Sequence, residues 1–174
     1  MAKSQNGYPV LESPSDCVKW IIPMKKGSPK HFVLKPGPAG YVLAHFALFF
    51  HESVEPLNTQ AKWDDWGYAK RPVRGARMTY SNHSSGTAID CNATEHPLGS
   101  VGSFTDKQEK LIHDRIRNLM RGLIRWGGDY KGRKDEMHFE IVGDSKAVAS
   151  LAKRLQKTPR GIRISKANPH YKKL

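Results

Sequence analysis

The run Ser81-Asn82-His83-Ser84-Ser85-Gly86-Thr87-Ala88-Ile89-Asp90 reads S-x-H-x-x-G-x-A-x-D. A second run, Asp135-Glu136-Met137-His138-Phe139-Glu140, follows further along the chain. Two imidazoles and a carboxylate (His83, His138 and Asp90) can hold one zinc ion and leave its fourth position to water. Asp135 stands three residues before His138, close enough to act as general base without ligating the metal. Together these are the minimum set for metal-assisted hydrolysis. Glu136 and Glu140 are the next carboxylates in line for the base.

Two short strands must bring these groups together. Residues 137–142 alternate, with Met137, Phe139 and Ile141 on an apolar face and His138 and Glu140 on the other. In residues 86–91, Ala88 and Asp90 share one face, and Thr87, Ile89 and Cys91 the opposite one. Pairing the strands with apolar faces together puts His138 beside Asp90. Gly86 lets the chain turn so that His83 folds back onto the same spot.

Residues 39–53 read as a helix. Thr105-Asp106-Lys107-Gln108 is a capping box that opens another, whose apolar spacing runs through Ile124 to a stop at Gly127-Gly128. Residues 145–156 read as a last amphipathic helix. Residues 1–38 read as loops with one apolar stretch, Val18 to Ile22, and residues 157–174 as a basic solvated tail. The expected fold is a single α+β domain spanning residues 1–174, with a central antiparallel sheet and flanking helices.

With 174 residues, 38% of them hydrophobic, the chain has room for one sizeable core. No apolar run is long enough to span a membrane, and no apolar segment follows Lys3 to make a secretory signal. This predicts synthesis in the cytoplasm without a signal peptide. The two cysteines make no disulfide framework, and Cys91 reads as a small buried hydrophobe. A net charge of +13 favours polyanionic partners: nucleic acid, anionic membrane or anionic cell wall. No nucleic-acid-binding pattern accompanies it. His31, His45, His51, His96, His113 and His170 lack acidic and glycine company of the motif kind and read as structural or exposed.

These runs, with Trp126-Gly127-Gly128-Asp129 between them, resemble the zinc D-alanyl-D-alanine carboxypeptidases, a family that includes L-alanyl-D-glutamate peptidases of phage endolysins. The resemblance covers roughly residues 66–142. It implies that His83, Asp90 and His138 bind one zinc per chain and that Asp135 is the catalytic base. It also implies a fold shared with lysostaphin-type peptidases and the hedgehog signalling domain. Arg71 or Arg74 is expected to stabilise the oxyanion, the choice between them staying open. Ser81, Trp126 and Asp129 are expected to contact substrate. The implied protein is a monomeric endolysin released from the host cytoplasm. It would cut the stem peptide or cross-bridge of peptidoglycan in an anionic cell wall. Two readings compete with it: a nucleic-acid-binding protein, and a catalytically silent wall-binding relative.

Overall fold

The computed structural model describes residues 2–25, 29–57, 63–73 and 79–171. The fold is α+β, with four helices and two small antiparallel sheets among the described residues. The first sheet pairs β1 (Val18–Ile22) with β2 (Lys30–Leu34). The second has the order β3 (Ala88–Asp90), β5 (His138–Ile141), β4 (Ile124–Trp126).

Helix α1 (Pro38–Phe49) forms the centre of the core. Nearly every side chain along it is apolar and buried, so it needs cover on all sides. Helices α3 (Ser145–Leu155) and α4 (Pro159–Ala167), with strands β1 and β5, provide that cover. Phe46 and Phe50 of the helix and the turn beyond it meet Phe139 of β5 at ring-centroid separations of 4.8 and 5.6 Å. Strand β5 is thereby anchored in the core through Phe139.

Three sequence expectations need correction. The second long helix does not reach Gly127. It runs as α2 (Asp106–Asp114), continues in a wider turn to Leu119, and ends where Arg121 and Gly122 take positive φ of 54° and 72°. Ile124 and Trp126 then point inward while Arg125 points out, so the period has changed from helix to strand. The supposed loops of residues 1–38 contain the β1–β2 hairpin, in which Trp20, Ile22, Phe32 and Leu34 are buried at alternate positions. The supposed basic tail contains α4. Thr158 caps it, Ile164 is buried under it, and the Asn168 side chain bonds both the N–H and the carbonyl of Ile21. Tyr171 beyond it stacks on Tyr41 at 4.7 Å.

Candidate metal centre

Strand pairing sets the first two groups. Asp90 lies directly opposite His138 in the β3–β5 register. His83 sits in a single helical turn, Asn82–Ser85, whose N-cap is Ser81. Gly86 ends that turn with φ of 63°, and a β-carbon there would strike the Lys35 nitrogen at 2.5 Å. Only glycine fits both the left-handed backbone and the close approach to the end of β2. The turn folds His83 back over Asp90, and three donor atoms converge. His83 Nε2 is 3.1 Å from Asp90 Oδ1 and 3.0 Å from His138 Nδ1, which is 2.8 Å from Asp90 Oδ1.

The outer atoms of both rings are committed elsewhere. His83 Nδ1 donates to the Gly67 carbonyl at 2.6 Å, which turns its Nε2 lone pair to the centre. His138 Nε2 faces Glu140 Oε2 at 3.2 Å, which aims Nδ1 inward. Glu140 also accepts from Arg125, Tyr130 and Asn82. All three ligand candidates are buried. Burial opposes charge on His138, but Asp90 and Glu140 outweigh it and push the imidazole up to about 10. Burial likewise opposes charge on Asp90, yet the two imidazoles hold it far below the usual carboxylate range.

These residues fit a zinc ion. Bonds of about 2.0–2.1 Å in tetrahedral array put neighbouring donors about 3.3 Å apart, and the three observed separations fall a few tenths short of that. Each imidazole is oriented by an outer acceptor, as ligating histidines are.

Asp135 precedes β5, and its carbonyl accepts the His138 N–H at 3.0 Å. Its carboxylate oxygen Oδ1 is buried without a hydrogen-bond partner among the described residues. Burial pushes this carboxyl above its ordinary value. The two alternative carboxylates are occupied. Glu136 turns away to accept the backbone N–H groups of Gly102 and Ser103 at 2.7 and 2.8 Å. Glu140 is held behind His138 by the contacts given above.

Two clefts open on this centre. One, of about 500 Å³, is lined by Trp66, Arg71, His83 and Asp90. The other, of about 680 Å³, is lined by Gln5, Ser81, Arg125, Tyr130, Asp135 and His138, with Asp129, Lys131 and Arg133 at its sides. Arg71 borders both, anchored by its backbone to Ser84 and Ser81. Arg74 lies outside the described residues.

The other expected residues divide. Ser81 lines the larger cleft but is also buried as the cap of the His83 turn, where its hydroxyl accepts the His83 N–H. Asp129 lines it as well and accepts from His113 Nε2 at 2.9 Å. Trp126 does not belong there. Its indole is buried in the core and donates to the Glu136 carbonyl at 2.7 Å, so it positions the Asp135 loop from behind. Sequence reasoning missed Gln5, Arg125, Lys131 and Arg133 as cleft residues; basic residues near a motif were the only signal. Cys91 is buried on the face away from the centre, among apolar neighbours.

No curated protein and no solved structure matches this chain. Residues 74–141, which contain all three ligand candidates, Asp135 and the Trp126–Asp129 segment, match a peptidase family model described as D-alanyl-D-alanine carboxypeptidase, and that match supports a peptidase.

Proposed function

We propose that this chain is a zinc-dependent peptidase that hydrolyses a peptide bond in the stem peptide or cross-bridge of peptidoglycan, acting as a phage endolysin. The observation that carries this reading is the convergence of three donor atoms beside Asp135, whose Oδ1 is buried without a hydrogen-bond partner among the described residues, in a segment that matches a peptidase family. His83, Asp90 and His138 would hold one zinc ion. When bound, zinc supplies Lewis acidity, polarising a carbonyl and making water more acidic.

The chain's own groups supply the rest. Asp135, half-buried and with its Oδ1 unpartnered among the described residues, is suited to take a proton from water and pass it to the leaving amine. Arg71, at the junction of the two clefts, is suited to meet negative charge on the carbonyl oxygen. Arg125, Lys131 and Arg133 give the larger cleft a cationic side, matching a substrate that carries carboxylates. The overall charge of +13 suits an anionic wall.

Incubation with purified peptidoglycan, followed by mass spectrometry of the released fragments, tests this reading and assigns the bond. New amino termini that appear with zinc and vanish with chelator support it. Intact stem peptides and cross-bridges after prolonged incubation with zinc-loaded protein would refute it.

A further inference from the structure

The segment before residue 10 lies outside every motif and outside the matched region, yet it is built into the candidate centre. Ser4 pairs with Tyr80, and Gln5 donates its N–H to the Tyr80 carbonyl at 3.1 Å and lines the larger cleft. The Ser4 hydroxyl bonds Ser85 at 2.8 Å. Asn6 is fixed most firmly. Its side-chain amide donates to Thr87 Oγ1 and to the Ile141 carbonyl, both at 2.8 Å, and its Oδ1 accepts from the Ser4 hydroxyl at 2.7 Å. These contacts tie one turn of chain to β5 and to the residue before β3.

From this turn a hydrogen-bond chain runs inward. The backbone N–H of Asn6 donates to Asn82 Oδ1 at 2.9 Å. A backbone N–H can only donate, so the contact fixes which way the Asn82 amide faces. Its nitrogen must then point the other way, where it donates to Glu140 Oε2. That oxygen is the one facing His138 Nε2 at 3.2 Å. Asn82 and Glu140 are each about 1% exposed, so water cannot substitute for either partner. The other oxygen of Glu140 is held by Arg125 and by the Tyr130 hydroxyl at 2.8 Å.

We infer that Asn6 and Asn82 are positioning residues: they act through Glu140 to hold the His138 ring with Nδ1 turned toward His83 and Asp90. The amino-terminal turn is thus part of the metal site's outer support, with Asn6 and Asn82 reaching His138 only through Glu140. This inference rests on the proposed zinc site.

The test uses full-length Asn82→Ala, Asn6→Ala and the double variant, with folding checked by circular dichroism. Zinc affinity is read by competition with a chromogenic chelator. Loss of an outer partner of a ligating histidine typically weakens metal affinity about 10–100-fold. Asn82→Ala should fall in that range, and Asn6→Ala near its lower end, about tenfold. The double variant should match Asn82→Ala alone, because both residues act along one chain. Cobalt-substituted protein should show a shifted visible spectrum in each variant, which a purely structural role would not produce.

A metal-free readout separates this inference from the functional reading. In apoprotein the imidazole proton on His138 Nε2 should be protected from exchange in nuclear magnetic resonance spectra, and lose that protection in both single variants. If wild-type protein binds no zinc, the functional reading fails and the imidazole proton still decides the chain. Multiplying losses in the double variant, or wild-type affinity and imidazole protection in Asn82→Ala, would overturn the inference.

Discussion

Gly127 and Asp135 approach so closely that a β-carbon on Gly127 would stand 2.2 Å from the Asp135 carbonyl oxygen. The Asp135 N–H donates to the Gly127 carbonyl at 3.1 Å, so the two backbones are fastened at this point. The Trp126-Gly127-Gly128 segment therefore has a mechanical reason: it leaves room for the loop that carries the proposed base.

Gly127→Ala should push that loop away from the centre. A misplacement of about 1 Å can cost about 10²-fold in rate. Steady-state kinetics on a soluble stem peptide should show a fall in kcat, while zinc content, set by residues outside the loop, stays near one per chain. Thermal melts should show a loss of about 1–3 kcal/mol, as for other overpacked sites.

Asp135→Asn and Asp90→Asn should fail in opposite ways. The first keeps the size of the side chain but cannot accept a proton, so kcat should drop about 10²–10⁴-fold with zinc retained. The second replaces a charged ligand candidate by a weak neutral one, so zinc itself should be lost. Measuring metal content and kcat on both variants separates the roles. Asp135→Asn with a wild-type rate would remove Asp135 as base.

Glu52 ties α4 to the turn after α1 by accepting from Arg160 at 2.7 Å and Arg163 at 2.5 Å. Burial raises its pKa, but the hydrogen bonds and charges of Arg163 and Arg160 outweigh that and leave it below the ordinary 4.5. A carboxylate with a depressed folded value stabilises the fold above its unfolded value and loses that contribution as pH falls through the folded one. The partners are partly exposed, so the contribution is about 1 kcal/mol. Chemical denaturation should find wild type more stable than Glu52→Gln by that amount at neutral pH. The gap should narrow as pH drops below 4.5.

The centre was legible where local periodicity and chemistry agreed. Alternation in residues 137–142 and 86–91 fixed the faces, and burying Phe139 and Ile89 leaves His138 and Asp90 opposed, as the β3–β5 register has them. The capping box at Thr105 was legible for the same reason: all its partners lie within one turn. Legibility failed where two periods overlap. Leu123 and Ile124 fit the helical stripe, but the left-handed Arg121-Gly122 pair had already ended it. It failed again where position depends on distant partners. Asn6 reaches its place by bonding Thr87 and Ile141, and Asn168 by bonding Ile21, and neither pairing leaves a local trace in the sequence. Trp126 was misplaced because an aromatic beside a motif reads alike whether it faces substrate or core.

The most direct test of the account is zinc stoichiometry by elemental analysis on wild type, His83→Ala and His138→Ala, paired with clearing of a bacterial cell-wall suspension by the same samples. The account predicts one zinc per wild-type chain, loss of most of that zinc in both variants, and wall clearing only where zinc is present. Full zinc occupancy in both variants, or clearing by zinc-free protein, would contradict it.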